Sequence, residues 1–425
     1  MDAFVCPECY IPTRPHALYF SRDKTWWSVS AEEAPLYRDL CRHKEAWPDG
    51  SILGCDSMRV AIERRLSGLR GDTRLASFGP EEISIAAVAA ARHMIEHRAD
   101  CRVAIPPVIG DSFRDPAARA AFQRNPGTTR IDGFDLRDVT LVAARMLLFS
   151  NGRRLAETRY LVDDRDYWMT PPSPRTSHEP DDDRTVVIGV NLAFRNYYHW
   201  LMQCLPAIDA SVRTVGAGHC VLALPPLAGW QEETLALLGY ANLPRTRIDF
   251  DCHYRYSRAH WNAYLGGVAE DFMSPRCLDV LERAGSSIEP VPDTPERLYV
   301  ARLDSGNRVI RNEDAVRRLL EKYGFVTVIP GILSFAGQVA LFKGARVVVG
   351  GHGAGLTNLA FCRAGTTVLE LIQSTYPTVF MNRVAQAKGL RYHAECFDCE
   401  AGGDVNRRDW LVDIGQLEAK LAAFF

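Results

Sequence analysis

A glycine-rich segment in the last third of the chain has the residue types of an anion-binding loop. It runs Gly344-Ala-Arg-Val-Val-Val-Gly-Gly-His-Gly-Ala-Gly-Leu-Thr-Asn358, so that a β-branched strand leads into glycines and then into a helix from Leu356. Glycines let the backbone approach a ligand closely, and a helix N-terminus offers free N–H groups and partial positive charge. A pyrophosphate fits such a loop, although tight strand-to-helix turns also use glycine for purely steric reasons. The expected contacts are His352, Gly353, Ala354, Gly355 and Leu356.

Three charged residues are placed to join that loop at one edge of a sheet. Arg302 ends the predicted strand 297–302, Arg308 follows the next turn, and Glu370 lies near the end of the predicted strand 366–372. Ligands of open α/β sheets bind at the carboxyl ends of the strands. Arginine forks suit phosphate oxygens, and a carboxylate there suits ribose hydroxyls. Each residue alone is also explained by an ordinary surface charge, salt bridge or helix cap.

The elements that would position these residues alternate between strands and helices from residue 185 onward. The predicted strands are 186–190, 220–224, 297–302, 325–329, 346–349 and 366–372, and the predicted helices are 198–211, 230–238, 312–323 and 335–344. This alternation is typical of parallel sheets. A proline-rich break at 290–295 divides the run in two, so the pattern predicts an α/β protein with two Rossmann-like lobes.

The residues before this run have mixed character. Residues 81–97 have helical composition, with apolar residues that include Ile83, Ile85 and Ile95. Residues 128–161 look β-rich, and Asn151-Gly152 follows the apolar run 139–150. Asn-Gly between apolar runs is the strongest short hairpin signal. We therefore predict a helix at 81–97 and a β-rich insertion near 128–161.

The composition is that of a soluble globular protein. The 425 residues carry a net charge of −2, with 47% hydrophobic and 24% charged residues. This balance lacks the basic footprint of a nucleic-acid-binding protein, and no stretch approaches the roughly 18 apolar residues of a membrane span. The first residues lack an apolar segment behind basic residues, so we expect no signal peptide and a cytoplasmic protein. Peripheral association with the inner face of the membrane stays open.

Several motifs that occur in order resemble those of glycosyltransferase family 61, which includes many bacterial polysaccharide-biosynthesis proteins. The motifs are Tyr299-Val-Ala-Arg302, Arg311-Asn-Glu313, Ser334-Phe-Ala with Gln338, Gly351-His-Gly-Ala-Gly-Leu-Thr-Asn358, and the earlier Asn196-Tyr-Tyr-His-Trp-Leu201 with Leu205-Pro206. The resemblance covers about residues 130–395. One departure is Gly337, where the family often has the glutamate of a capping box.

The resemblance implies a GT-B-like fold, with two Rossmann-like lobes and a cleft between them. It implies an N-terminal, acceptor-side lobe at residues 1–290, a nucleotide-sugar donor lobe at 291–395, and a segment 396–425 whose helix returns to the N-terminal lobe. The implied reaction is inverting transfer of a hexosyl, N-acetylhexosaminyl or pentosyl group from a nucleotide-diphosphate sugar. The expected donor is a UDP-sugar, the acceptor is a glycan or lipid-linked glycan, and neither cofactor nor metal is required.

The segment Phe194–Trp200 is the richest candidate for the acceptor side. It follows a predicted strand and leads into a predicted helix, and aromatic faces suit sugar rings. Inversion in one step needs a base for the acceptor hydroxyl, and histidine is the commonest choice near neutral pH. His199 is the candidate base, and the alternative is a structural histidine bonded to a backbone carbonyl. The expected acceptor contacts are Arg195, Asn196, Tyr197, Tyr198 and Trp200.

Two Cys-x-x-Cys pairs leave a structural zinc site open. Cys6 with Cys9 and Cys396 with Cys399 have zinc-knuckle spacing, and they could meet if the last helix returned to the N-terminal lobe. Unconnected, reduced thiols are the favoured alternative.

Two other functions compete with the transferase. An NAD(P)-dependent oxidoreductase would use the glycine loop, but it expects that loop after the first strand of a lobe, with an acid about 20 residues on. A non-catalytic carbohydrate-binding protein would keep the same fold without turning over a donor.

Overall fold

The chain is a mixed α/β protein built on two large sheets. The computed structural model describes residues 18–22, 25–29, 82–97, 105–124, 130–143, 146–160, 175–177, 183–249, 252–265, 273–290, 292–399 and 408–424. Within these ranges one sheet has ten strands and the other six, and a separate hairpin has two. No helix in the described part of the chain has the length and apolar character needed to cross a membrane. The α/β class is confirmed, and the GT-B arrangement stays a prediction.

The described strands are numbered in chain order. They are β1 (Leu18–Arg22), β2 (Thr25–Val29), β3 (Glu82–Ile83), β4 (Ala91–His97), β5 (Val108–Ile109), β6 (Arg130–Val142), β7 (Leu147–Ser150), β8 (Arg153–Leu155), β9 (Arg175–Ser177), β10 (Thr185–Ile188), β11 (Cys220–Leu224), β12 (Arg245–Arg247), β13 (Cys252–Asn262), β14 (Arg297–Val300), β15 (Val326–Val328), β16 (Val347–Gly351), β17 (Thr367–Gln373) and β18 (Arg391–Phe397).

The described helices follow the same order. The α-helices are α1 (Pro116–Gln123), α2 (Tyr197–His199), α3 (Leu205–Val215), α4 (Gly229–Leu237), α5 (Pro275–Gly285), α6 (Glu313–Lys322), α7 (Phe335–Gly344), α8 (Phe380–Lys388) and α9 (Ile414–Ala422). A π-helical turn, Trp200–Cys204, joins α2 to α3. The 3-10 helices are Ile85–Ala87, Ala156–Thr158, Ala217–His219, Pro330–Ile332 and Ala354–Phe361.

The ten-stranded sheet combines a parallel part with an antiparallel part. Its order is β12-β11-β10-β13-β6-β7-β8-β3, with β4 paired to β6 and β9 to β13. Strand β10 pairs in parallel with β11 on one side and with β13 on the other. The chain therefore leaves β10 toward one edge and later returns to its other side, which makes a topological switch point between β10 and β13.

The six-stranded sheet is parallel throughout, in the order β15-β14-β16-β17-β18-β5. The chain moves from β14 to β15 and then crosses to β16 on the far side of β14. A second switch point therefore lies between β14 and β16. The edge strand β5 comes from residues far upstream, because Val108 and Ile109 pair with His393 and Ala394 of β18.

The two sheets share one hydrophobic core. It includes Val186 and Leu222 of the first sheet together with Leu298 and Val348 of the second. The other face of the second sheet has its own core, in which Val316 and Leu320 of α6 pack with Leu417 and Leu421 of α9. The amphipathic C-terminal helix thus covers the second sheet, whereas the resemblance implied that it returns to the N-terminal lobe. The apolar face of α9 packs against the apolar face of α6 in this core.

The hairpin prediction is confirmed and the helix at 81–97 is wrong. Ser150 pairs with Arg153 across Asn151-Gly152, and both turn residues have positive φ, 49° and 76°, as a tight two-residue turn requires. Residues 91–97 instead form strand β4, which is antiparallel to β6. Cross-strand pairing there overrides the weak helical preference of alanine-rich residues.

Candidate functional site

The two candidate segments follow the strands at the two switch points. The glycine loop begins at the carboxyl end of β16, and Arg302 lies two residues beyond β14. The polar and aromatic segment 194–200 follows β10 in the same way in the first sheet. Crevices at such points are where open α/β sheets bind ligands, so the topology gives both segments a position suited to binding.

Close packing explains the glycines of the loop. A Cβ on Gly353 would lie 1.8 Å from Nη1 of Arg302, and one on Gly355 would lie 3.1 Å from both Pro330 and Val300. Gly353 has an extended backbone with φ 170° and ψ 173°, so the requirement is for space and not for an unusual conformation. The steric interpretation of these glycines is therefore supported, and the space is used by a guanidinium.

The helix after the loop begins two residues earlier than predicted and is a 3-10 helix. Because of its tighter hydrogen bonding, the Leu356 N–H donates to the Gly353 carbonyl at 3.0 Å, and the side chain is fully buried. Leu356 is therefore a core residue without a free N–H, which argues against its expected donor contact. Ala354 and Gly355 are half-buried, so they keep access to a ligand.

Arg302 is a buried cation that forms no salt bridge with the described residues. Its Nη1 donates to the His352 carbonyl at 2.8 Å, and its Nη2 donates to Ser305 Oγ at 3.0 Å and the Asn307 carbonyl at 2.6 Å. None of the described carboxylates pairs with the guanidinium, and its buried Nε has no hydrogen-bond partner. Burial, followed by the nearby Arg308 cation, lowers its pKa to about 10. The guanidinium therefore favours an anion at this position.

The side chain of His352 is fixed through both ring nitrogens. Nδ1 lies 2.5 Å from Glu370 Oε1, and Nε2 lies 2.7 Å from Thr378 Oγ1. A carboxylate accepts only, so Nδ1 carries a proton and donates to Glu370. This chain of hydrogen bonds fixes the orientation of the imidazole beside Arg302.

Glu370 orients His352 and is not accessible to a ribose. The carboxylate is fully buried, and its second oxygen accepts from the Tyr392 hydroxyl. It lies in the middle of β17 between Gly350 and Ala394 on the neighbouring strands, whose small side chains leave room for it. This burial argues against the expected ribose contact and gives Glu370 a positioning role toward His352.

Arg308 contributes a second cation at the same edge. It has a left-handed backbone with φ 54°, and its guanidinium lies 4.6 Å from the centre of the Tyr376 ring. Trp410 Nε1 donates to its carbonyl at 3.0 Å. The ring of Tyr376 also lies 5.7 Å from that of His352. Two arginines, a histidine and a tyrosine thus meet around the carboxyl ends of β14 and β16.

The predicted acceptor residues lie at the surface, at the contact between the two candidate segments, or in the core. Arg195 and Asn196 are exposed, and the Asn196 side chain caps α2 by accepting from the N–H groups of Tyr198 and His199. Tyr198 is buried and stacks on Phe380 of α8, with ring centres 5.3 Å apart. Trp200 is fully buried, and its Nε1 donates to Thr234 at 2.9 Å. Trp200 is thus a core residue, which argues against an acceptor contact.

His199 has the protonation state of a base. Asn191 Nδ2 donates to Gln203 Oε1 at 3.1 Å, so this oxygen is an acceptor, and it lies 2.9 Å from His199 Nδ1. Nδ1 therefore carries the proton, and Nε2 is unprotonated. Burial lowers the pKa of His199 to about 4, against the hydrogen bond with Gln203, so the ring is neutral at pH 7. Its ring partners are side chains, Gln203 and Tyr160, and not a backbone carbonyl.

A polar joint connects the two segments. The Tyr197 hydroxyl donates to Asn358 Oδ1 at 2.8 Å, and Asn358 Nδ2 donates to Gln338 Oε1 at 2.7 Å. Asn358 belongs to the 3-10 helix that follows the glycine loop. One hydrogen-bonded group therefore joins three motif residues that are distant in the chain. Asn358 lies 161 residues after Tyr197 and 20 residues after Gln338.

Sequence reasoning missed several residues around the site. They are Tyr160, Gln203, Tyr376, Thr378 and Tyr392, each of which bonds or packs against a candidate residue. Their contacts depend on tertiary packing, and only Gln203, one turn after His199, was accessible from helical spacing.

The cysteines do not form a described zinc site. Cys396 is buried, and Cys399 lies 3.3 Å from Thr375 Oγ1. Cys6 and Cys9 lie outside the described residues. The four-cysteine site stays a prediction.

The fold is that of an α/β protein with two arginines at one sheet edge, and comparison with known proteins shows which family model part of the chain matches. Residues 197–369 match the model of Glycosyltransferase 61. This confirms the resemblance to glycosyltransferase family 61 on which the motif assignment rested. The matched region begins at Tyr197, within the segment 194–200, and extends beyond the glycine loop.

Two curated relatives match a shorter stretch. A beta-1,2-xylosyltransferase of Arabidopsis thaliana is 35% identical over 72 residues, and one of Oryza sativa subsp. japonica is 38% identical over 72 residues. In each case the stretch covers 16% of this chain and 14% of the relative. So short a match shows similarity to a part of each xylosyltransferase and fixes neither the donor sugar nor the acceptor.

Proposed function

We propose that the protein is an inverting glycosyltransferase that uses a nucleotide-diphosphate sugar, with UDP as the preferred nucleotide. The diphosphate would bind at the carboxyl edge of the second sheet, between Arg302, Arg308 and the half-buried residues Ala354 and Gly355. The acceptor, a hydroxyl of a glycan or glycoconjugate, would approach from the Arg195–His199 side.

The single observation that supports this proposal most strongly is the buried Arg302 guanidinium. It lies at a topological switch point, Arg308 is the neighbouring cation, and no described carboxylate pairs with it. A diphosphate would supply the missing negative charge. Breaking the bond between sugar and phosphate adds charge to that leaving group, and preorganised donors of this kind stabilise it in the transition state.

His199 would act as the general base. Its unprotonated Nε2 would take the proton from the acceptor hydroxyl as the new bond to the anomeric carbon forms and the bond to the diphosphate breaks. Gln203 would hold the tautomer through Nδ1. Neither the proton transfer nor the departure of the diphosphate would need a metal ion, because the two arginines would supply the positive charge.

A donor screen tests the proposal. Purified protein is incubated with UDP-, GDP- and CMP-sugars, and nucleotide release and the thermal shift are measured, with NADH as a comparison ligand. We expect UDP to raise the melting temperature by linkage and one UDP-sugar to be hydrolysed slowly. A shift with NADH alone would favour an oxidoreductase, and binding of glycans without donor turnover would favour a carbohydrate-binding protein. The anomeric configuration of the product, determined by NMR, tests inversion.

A further inference from the structure

Three neighbouring strands of the first sheet bring two histidines and an aspartate together. Asp135 of β6 pairs with Ala91 of β4 on one side and with His260 of β13 on the other. His93 of β4 is opposite Gly133, which is two residues before Asp135. Paired residues, and residues two apart, share a face of a sheet, so His93, Asp135 and His260 point to the same side.

Their polar atoms converge on one point. His93 Nε2 lies 2.8 Å from Asp135 Oδ2, and His260 Nδ1 lies 2.7 Å from Asp135 Oδ1. One atom from each of the three residues lies within 4.8 Å of the others. Across the described ranges, no other group of three or more histidine, cysteine, aspartate or glutamate side chains converges in this way.

The far nitrogen of His260 is already oriented. Asn262 Nδ2 donates to the Ala207 carbonyl at 3.4 Å, so its Oδ1 faces His260 Nε2 at 3.2 Å as an acceptor. Nε2 therefore donates to Asn262, and a bound cation would take the place of the Nδ1 proton that otherwise bonds to the Asp135 carboxylate. A histidine whose second nitrogen donates to an oxygen is the usual arrangement of a metal ligand, because it fixes the tautomer and ring orientation.

Gly133 provides the space for this arrangement. A Cβ at this position would lie 2.0 Å from Asn262 Oδ1 and 2.9 Å from His260 Nε2. Any side chain here would displace the Asn262–His260 pair.

Charge and access also suit a cation. Arg92 and Arg130 pair with Asp132 and not with Asp135, so the described arginines leave the Asp135 carboxylate to the two imidazoles. His260 is fully buried, whereas the side chains of His93 and Asp135 are 36% and 38% exposed. The group therefore has a closed inner side and a path from solvent.

We propose that His93 Nε2, His260 Nδ1 and the Asp135 carboxylate bind one divalent transition-metal ion, with zinc as the preferred ion. Two imidazoles and a carboxylate are common zinc ligands, with bonds of about 2.0–2.2 Å, and a fourth position would be filled by water. The ion would cross-link β4, β6 and β13. The site is separate from the arginine edge of the second sheet, so its occupancy is independent of the proposed transferase reaction.

Zinc binding by the full-length protein tests the proposal. Chelator-treated protein is titrated with ZnCl₂, metal content is measured after dialysis, and Co²⁺ is added in a parallel sample to give a visible absorption band. We expect one zinc equivalent that His93→Ala and Asp135→Asn both lose, together with the zinc-dependent rise in melting temperature. Asn262→Ala should weaken the affinity about 10- to 100-fold, as loss of an orienting partner does.

Matched controls separate this site from others. His253→Ala, on the same strand β13, and the double variant Cys396→Ser with Cys399→Ser should keep the zinc equivalent. Far-ultraviolet circular dichroism establishes that each variant is folded, and the half-exposed His93 is the position least expected to disturb folding. If wild type binds no zinc, if folded His93→Ala binds as wild type does, or if only the cysteine variant loses the metal, the proposal is wrong.

Discussion

The two switch points carry opposite kinds of chemistry. At the second sheet, Arg302, His352 and Glu370 are buried and joined by hydrogen bonds, and the guanidinium forms no salt bridge with a described carboxylate. At the first sheet, the segment from Arg195 to His199 is more exposed and aromatic, and its titratable ring is neutral. A rigid, charged edge suits a ligand with fixed negative charge, and a softer aromatic edge suits neutral sugars. The difference indicates which substrate would bind on which side.

The largest effect is expected for Gly353→Val, which attacks the rigid edge directly. A Cβ at Gly353 would lie 1.8 Å from Arg302 Nη1, so the guanidinium must leave the His352 carbonyl. UDP binding, measured by calorimetry, should be abolished. Gly229→Ala is the control, because a Cβ there meets no atom within 4 Å. Normal UDP affinity in Gly353→Val would mean that the loop at Gly353 does not bind the donor.

Arg302→Ala should reduce kcat/KM by about 3–4 kcal/mol of transition-state stabilisation, the usual cost of losing one preorganised donor. Arg311→Ala is the matched control, because Arg311 is exposed and pairs with Asp409 instead. Steady-state kinetics with the donor identified by the screen measures both. Equal losses in the two variants would mean that general surface charge, and not the buried guanidinium, acts on the donor.

His199→Ala should reduce kcat about 100-fold or more, the lower range for loss of a general base. Donor affinity should stay unchanged, because His199 is assigned to the acceptor alone. Kinetics combined with donor titration separates the two quantities. Near-normal turnover would remove His199 as the base. A matching loss of donor affinity would mean that His199 acts on the donor and not on the acceptor.

Tyr197→Phe tests the joint between the two sides. It removes the hydrogen bond to Asn358 Oδ1, and loss of a partner from a buried polar group costs about 1–3 kcal/mol. Urea unfolding measures the change in the free energy of unfolding, and a double-mutant cycle with Asn358→Ala isolates the pair. Additive losses in the cycle would mean that the two residues are not coupled.

The smallest effect concerns acid. Burial lowers the pKa of His199 and of His253 to about 4, from the ordinary value of 6.5. Between these pH values the unfolded chain binds protons that the folded chain does not, so the free energy of unfolding falls as pH drops from 6.5 to 4. Urea unfolding across this range should show a shallower slope for His199→Gln. An unchanged slope would mean that His199 is charged when folded.

Sequence reasoning succeeded where local pattern and fold agree. The strand at 220–224 and the helix at 335–344 have the predicted bounds, because each is an uninterrupted apolar or helix-favouring run between clear breaks. Ser334 caps that helix by accepting from the Gly337 N–H, so the cap survives the departure at Gly337. The loop, the two arginines and His199 were proposed from residue types that the chemistry requires, and their roles stay predictions.

Burial argues against three of the expected ligand contacts. Glu370, Leu356 and Trp200 have the right types for contacts with ligands, yet all three are fully buried. Strand alternation and helix type determine which way a side chain points, and neither follows from the identity of a single residue. Tyr392 and Thr378 were missed because their partners, Glu370 and His352, become neighbours only after the parallel strands pair.

The short strand β5 has a consequence for how this protein can be produced in parts. Ser112, just after β5, bonds to Glu395 and receives the N–H of Cys396, 284 residues away in the chain. During synthesis, the edge strand β5 is made long before β18, the strand whose backbone it covers. A fragment that starts at residue 291 would leave the backbone of β18 uncovered, and such an edge promotes aggregation. We expect the fragment that starts at residue 291 to resist aggregation only when residues 105–124 are fused to it or added as a separate peptide.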